Sequence, residues 1–430
     1  EFRRVLFRSS QKINRSTEII YYDVTNFYCE TEELDEDIID EEGNIIEKGL
    51  RKKGVSKEER KLPIVQMGLF MDNEGIPIAI ETFSGNTLDH LTLRPALKNN
   101  IDNLEFSKFI LIADRGIFQY RNLLHLSDKN HGYIVSKSLL KSTKKEQEWT
   151  YDDNDYVYLN EDKNFKYKSR IIKRKIKDEN GKIRIIEEKV VVYWSKKFQI
   201  RCERENKKFF EFLKKAQECP SNFRITALQA KLMRKFIKKE CINNQTGEFL
   251  KTSSIRALID YDKVSKFKNS MGYYQIVTSE LDMDETEVIK KYHGLTQIED
   301  QFRTMKGQLE ARPMYVYTKE HINAHLLICM IVLVLMRIIQ KRIIDKQNKE
   351  EKYKEKNENN CWNTGLSAKR IQEALNKFKI DNLKDNLYRF MDMNDEDLSL
   401  ILNAFEIQIP PKLYRLSELK QLKSNIKIFD

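Results

Sequence analysis

Cysteine is scarce in this chain and carries no pattern. Cys29, Cys202, Cys219, Cys241, Cys329 and Cys361 are scattered, with no CxxC pair and no zinc spacing. That argues against a sulfur-ligated metal module or a disulfide framework, and it leaves free thiols in a cytoplasmic protein. No secretory signal opens the chain. The longest apolar run, Leu326–Met336, is about half a bilayer span and leads into Arg337, so it reads as a buried core helix with no membrane partner. Internal repeats are absent. An initiating methionine is missing too, and the opening EFRRVLFRSS has no pattern tying it to the rest of the chain. Residues 1–17 are left unassigned.

What the chain does have is charge. Its 430 residues hold 77 Lys+Arg against 66 Asp+Glu, a formal net charge of +11. That balance suits a polyanionic partner, nucleic acid first, although a Lys/Ile/Asn-rich background gives the same surface.

Glu18–Tyr28 is aromatic and β-branched and reads as a strand with Asp23 in its middle. A carboxylate inside a core strand is costly unless it is paired or metal-bound; the alternative is an outward-facing Asp. A charge-rich connection comes next, Cys29–Lys61. Leu62–Met71 and Ile76–Phe83 then read as a hairpin, the tight turn Ser84-Gly85-Asn86-Thr87 comes after it, and Asp89–Asn100 is a helix. Phe106–Ala113 is nearly all apolar, as a strand buried on both faces would be. It ends at Asp114, where open α/β sheets keep their chemistry; the alternative is a cap for a helix over Phe118–Leu126. His131–Lys137 is another strand.

From Ser138 the texture turns lysine-rich. Ser169–Ile176 and Ile183–Tyr193 flank the turn at Asn180-Gly181, a second hairpin. Lys207–Ala216 and Thr226–Lys239 read as helices, and Tyr273–Thr278 as a strand. Glu287–Arg312 then reads as one amphipathic helix, opened by Asp284 and stopped by Pro313. At about 100° per residue, Tyr292, Leu295, Glu299 and Lys306 share a stripe flanked by Ile298 and Phe302. A carboxylate there can hold a metal while a lysine two turns away meets an anion; the alternative is a solvated surface helix. Lys319–Lys341 is a long helix whose His321 and His325, at i and i+4, favour surface and core roles over metal binding for want of a third ligand. Asp345–Asn360 is a charged linker. Helices over Ser367–Phe378 and Asp395–Phe405 close the chain.

Asp23, Asp114 and Glu299 thus fall on a first strand, at the tip of a later strand and on a helix after an insertion. Brought together they repel unless divalent cations bridge them, and their carboxyl groups are expected to gather within reach of a metal pair. Two Mg²⁺ ions about 4 Å apart are a standard device for displacement at a phosphodiester. Oxygen ligands suit Mg²⁺ or Mn²⁺ better than zinc.

These residues resemble the DDE transposases of bacterial insertion sequences, most closely the insertion-sequence-four group. Its signature is Tyr, two residues, Arg, three residues, Glu, six residues, Lys. Tyr292, Glu299 and Lys306 fit, with Leu295 in place of the arginine. YYDVTNFY around Asp23, GIPIAIETFSGNT at 75–87, LIADRGI around Asp114 and IEDQFRTMKGQLEARP at 298–313 match in order. The resemblance spans Ile19 to Met336.

The resemblance implies an α/β fold: a ribonuclease H-like mixed sheet flanked by helices, with a β-containing insertion domain and a helical C-terminal tail. Residues 18–137 and 268–344 are then the two parts of the catalytic core, 138–267 the insertion and 345–430 the linker and tail. It implies a metal-dependent enzyme that cuts element ends and joins them to target DNA, with Asp23, Asp114 and Glu299 holding two Mg²⁺ (or Mn²⁺) ions. Tyr292 and Lys306 would meet DNA phosphate, the missing arginine's role would be lost or supplied by His293 or Arg303, and Gly85, Asn86 and Thr87 would order the turn beside the active face. Arg115 would meet phosphate or pair with a carboxylate. Partners would be double-stranded DNA and a second copy in a synaptic homodimer, nucleoid-associated in a bacterial cytoplasm. The short stretch before Asp23 suggests an N-terminally truncated copy. A catalytically silent DNA-binding relic and a nuclease that cuts without joining are the alternatives.

Overall fold

The computed structural model describes residues 15–55, 62–101, 108–159, 161–178, 180–218, 236, 259–349, 366–383, 386–391 and 393–425. Contacts divide the chain into two units, one of Glu1–Tyr133 with Lys291–Asp430 and one of Ile134–Lys290.

In chain order, β1 (Ile19–Tyr28) is followed by a small ribbon, β2 (Ile38–Ile39) and β3 (Ile45–Glu47), and a hairpin, β4 (Ile64–Asp72) and β5 (Pro77–Ser84). Then come α1 (Asp89–Asn100), β6 (Ile110–Ala113), α2 (Tyr120–Asp128) and β7 (Gly132–Lys137). The middle of the chain holds α3 (Lys144–Tyr151), β8 (Val157–Tyr158), β9 (Phe165–Lys177), β10 (Ile183–Ser195), α4 (Lys196–Glu205), α5 (Lys207–Glu218), α6 (Tyr261–Asn269) and β11 (Tyr273–Thr278). After it come α7 (Glu285–His293), α8 (Thr296–Lys306), α9 (Lys319–Lys349) and α10 (Ala368–Lys377). The chain ends with β12 (Ile380–Asn382), β13 (Leu387–Phe390), α11 (Glu396–Ala404), β14 (Tyr414–Arg415) and α12 (Leu416–Asn425).

The first unit is a mixed sheet flanked by helices. Its strands run in the order β5-β4-β1-β6; β5, β4 and β1 are antiparallel neighbours, and β6 lies parallel to β1. Every residue of β4 is buried, as its all-apolar stretches require of an inner strand. β1 is covered on both faces. Tyr22 sends its hydroxyl to Thr92 Oγ1 of α1 at 2.8 Å, while Tyr21 reaches Lys291 O at 3.0 Å and Phe27 lies under Lys306 of α8. Alternation along a strand therefore puts Tyr21, Asp23 and Phe27 on the face that α8 covers.

α9 is long and apolar enough to cross a membrane by length and composition. In the first unit it packs on β5, α8 and α11, with Ile322, Leu326 and Leu333 fully covered, as a core helix does. It runs through Lys349, so the segment expected as a linker begins as helix. The C-terminal region is not purely helical: β12, β13 and β14 form a small sheet, too short to leave a periodic signal. α10 and α11 close over Ile343 of α9 through Ile371, Leu398 and Ile401.

The second unit is antiparallel, in the order β7-β11-β10-β9-β8. The turn of the β9–β10 hairpin is held by Asp178 Oδ1, which accepts from the N–H groups of Asn180 and Lys182, and Gly181 takes a φ of +77° there. The helix expected over Thr226–Lys239 lies outside the described residues apart from Phe236.

The stretch expected as one helix is two. α7 ends at His293 and α8 begins at Thr296. Gly294 passes so close to β1 that a Cβ on it would stand 2.1 Å from the Tyr21 hydroxyl oxygen. The helix is interrupted there by tighter turns, with Gly294 N–H donating to Lys291 O at 3.1 Å and Leu295 N–H to Tyr292 O at 3.0 Å. α8 then ends at Lys306, before the Pro313 expected to stop it.

Candidate active site

The parallel register of β1 and β6 pairs Ile19 with Ile110 and continues to Tyr22 with Ala113. The next residues are Asp23 and Asp114. Each acid thus directly follows the last pair of the register, where β6 stops and its neighbour β1 continues. Both are half-buried. Asp114 does not cap a helix: α2 starts later, behind Gln119. It opens a turn in which Ile117 N–H donates to Asp114 O at 3.0 Å, and Arg115 and Gly116 stand exposed.

Glu299 sits in the first turn of α8 and is exposed. α8 lies along the odd-numbered face of β1, with Gly294 against Tyr21 at its start and Lys306 Nζ 5.5 Å from the Phe27 ring centre at its end. Asp23 falls between those two contacts. Glu299 and Lys306 are seven residues apart and therefore share a face of the helix. The buried face is Gln297, Ile298, Gln301, Phe302 and Met305, so Glu299 rides its rim. Among the described residues no group of three or more His, Cys, Asp or Glu side chains is gathered to hold a metal ion. Asp23 and Asp114 each follow the last pair of the β1–β6 register, and Glu299 is exposed.

Tyr292 is buried, and its hydroxyl donates to Asp114 Oδ1 at 3.0 Å. Arg303 is exposed and donates to Asp300 Oδ1 at 2.7 Å. Burial lowers the pKa of His293, which favours neutral imidazole and weakens it as a substitute for an arginine's charge. His325 is engaged with Ala311 O at 3.2 Å and His321 is exposed. The turn at Gly85-Asn86-Thr87 is a packing joint. Gly85 N–H donates to Leu50 O at 3.0 Å, and a Cβ on Gly85 would stand 2.0 Å from Ile64 O. Asn86 Oδ1 accepts from Ser84 Oγ at 2.9 Å.

Two residues that sequence reasoning passed over, Tyr21 and Gly294, set the approach of α7 and α8 to β1. Tyr21 carried a usable signal, since it lies two positions from Asp23 and so on the same strand face. Gly294 carried a weaker one, as the glycine inside an otherwise helical pattern.

No curated protein matches the chain. Among solved structures, a cryo-electron microscopy structure of the piggyBac transposase synaptic complex with hairpin DNA matches over 80% of this chain and 53% of that one, at 7% identity and a TM-score of 0.38. The chain thus spans about half the length of that protein. The family profile for the transposase DDE domain matches residues 16–335, about three-quarters of the chain, and the chain belongs to that family.

Proposed function

We propose that this chain is a transposase that cleaves DNA at the ends of a mobile element and transfers the freed strand to target DNA. The observation that supports the reading is the β1–β6 register, which ends at Tyr22 and Ala113, one residue before Asp23 and Asp114, with α8, the helix of Glu299 and Lys306, lying against β1. Water attacks phosphorus, the bond to the 3′ oxygen breaks, and a 3′-hydroxyl is left. That hydroxyl then attacks a target phosphodiester, forming one P–O bond and breaking another.

Divalent metal ions are general in this family. The paired carboxylates of Asp23 and Asp114 are an oxygen donor set of the kind Mg²⁺ or Mn²⁺ takes, and Glu299 would complete it. Two such ions, when bound, polarise the phosphate and lower the pKa of the attacking oxygen. Lys306, Arg115 and Arg303 would meet the DNA backbone, a term that positions without reading sequence. The same reading includes the insertion-sequence-four subfamily, a ribonuclease H-like core at 18–137 and 268–344, an insertion at 138–267, a synaptic homodimer and action on cytoplasmic DNA.

A second reading, a DNA binder that does not cut, draws on one observation: Glu299 stands exposed and outside any gathered carboxylate group among the described residues. Supercoiled plasmid separates the two. Nicking with Mg²⁺ or Mn²⁺, absent with Ca²⁺, supports the enzyme. Binding with no nicking under any metal supports the silent reading.

A further inference from the structure

Within the signature stretch, the tyrosine points inward. Tyr292 is 8% exposed, and its hydroxyl is bonded to Asp114 Oδ1 at 3.0 Å. The residues on either side are fixed from β1. The Tyr21 hydroxyl donates to the carbonyl of Lys291 at 3.0 Å. Gly294 is pressed against the same hydroxyl. Gly294 N–H donates to Lys291 O at 3.1 Å, and Leu295 N–H donates to Tyr292 O at 3.0 Å, so the backbone around Tyr292 is a closed turn. The break between α7 and α8 thus has a consequence for the site: it sets the backbone that carries the Tyr292 ring toward the end of β6.

We infer that Tyr292 is a positioning residue for Asp114. Its phenol fixes one carboxylate oxygen and leaves the charge in place. A neutral donor orients a carboxylate without competing with a cation for it, which an arginine or lysine would do. A buried ring whose hydroxyl is so engaged is not offered to a DNA phosphate. The inference rests on the proposed role of Asp114 as a metal ligand and adds what holds that ligand in orientation.

The test uses the full chain and Tyr292→Phe, which removes the hydroxyl and keeps the ring. Mn²⁺ binding is measured without DNA by electron paramagnetic resonance, DNA affinity by gel shift without metal, and nicking against Mg²⁺ concentration. Loss of a partner that orients a metal ligand costs about 10–100-fold in metal affinity. Tyr292→Phe is therefore expected to weaken Mn²⁺ binding at least about tenfold. It should move the Mg²⁺ requirement upward to match, recover nicking at saturating metal and leave DNA affinity unchanged. Unchanged Mn²⁺ binding with weakened DNA binding would overturn the inference and make Tyr292 a phosphate contact. Tyr21→Phe guards against a folding artefact: it frees Lys291 O but keeps the Tyr292 hydroxyl, and should move Mn²⁺ affinity in the same direction by less. No movement in either variant also overturns the inference. Asp114→Asn separates the two layers: if it binds Mn²⁺ as wild type does, the reading of Asp114 itself fails.

Discussion

In the second unit, Glu146 of α3 sits among cations. It accepts from Arg174 Nη2 at 2.7 Å and from Lys137 Nζ at 3.0 and 3.2 Å, and closes a capping box with Thr143. Arg174 also donates to Glu188, which is fully buried, at 2.6 Å. Four elements, β7, α3, β9 and β10, are tied by two cations and two anions. In the first unit, Asp114 receives a tyrosine hydroxyl and lies one residue past the end of the β1–β6 register, as Asp23 does on β1. The second unit's arrangement neutralises charge internally and serves the fold. In the first unit the donor to Asp114 is a neutral phenol, which orients the carboxylate without adding a positive charge.

The largest expected effect tests the retained charge. Asp114→Asn should reduce metal-dependent nicking to background, since it removes the charge a divalent ion would bind. DNA affinity should hold or rise slightly, because a negative charge near phosphate is lost. Plasmid relaxation beside a salt-titrated gel shift reads both. Equal nicking by variant and wild type would break the comparison at its first term.

Next comes the neutralised network. Arg174→Met leaves Glu188 buried without its cation, and removing one partner of a buried ion pair costs about 3–5 kcal/mol. Urea unfolding of the full chain should show that loss, and adding Glu188→Gln should recover most of it. The same network predicts an acid limb. Burial alone would raise the Glu146 pKa, but the bonds from Arg174, Thr143 N–H and Lys137 outweigh it and hold the group at about 2. Its contribution is complete above the unfolded value near 4.5 and fades as pH falls toward 2. Burial raises Glu188 despite Arg174, so its contribution has the opposite sign, present at low pH and lost as pH rises. Glu146→Gln should therefore flatten the stability loss between pH 5 and pH 3 (roughly the reach of the lower limb). A limb of unchanged slope would remove Glu146 as its source.

Gly294→Ala tests the clamp in the first unit. The added methyl collides with the Tyr21 hydroxyl, and forcing extra volume into a packed contact costs about 1–3 kcal/mol. Nicking should fall with it as Tyr292 is displaced from Asp114. A variant of wild-type stability and activity would show that the break between α7 and α8 does not depend on the close approach.

The place of Asp23 inside a strand and of Asp114 at the end of one was legible in the sequence, for physical reasons that vary by residue. Asp23 stood out because an acid inside an apolar strand needs a reason, and Asp114 because it ends one. The registers that join them depend on strand order, which no local pattern states. The Gly294 break was hidden because the apolar period continues across it, while Tyr21, which it closely approaches, lies 273 positions earlier. The Glu146–Arg174–Glu188 network was hidden for the same reason: its members are ordinary charges in a lysine-rich segment until pairing puts them on one face.

The smallest expected effect on stability falls on Glu299, the third acid of the proposed site. Glu299 is exposed on the rim of α8, so Glu299→Gln should shift unfolding by no more than about 0.5 kcal/mol. Arg303, the nearby cation, is bonded to Asp300, so no described salt bridge is broken. α8 loses one negative charge in its first turn, worth a few tenths of a kcal/mol at an exposed position. Nicking is the discriminating readout. If Glu299 joins Asp23 and Asp114 when DNA and metal arrive, the variant folds as wild type yet loses nicking. If nicking survives, Asp23 and Asp114 act without it, and the signature's glutamate is a surface residue of α8.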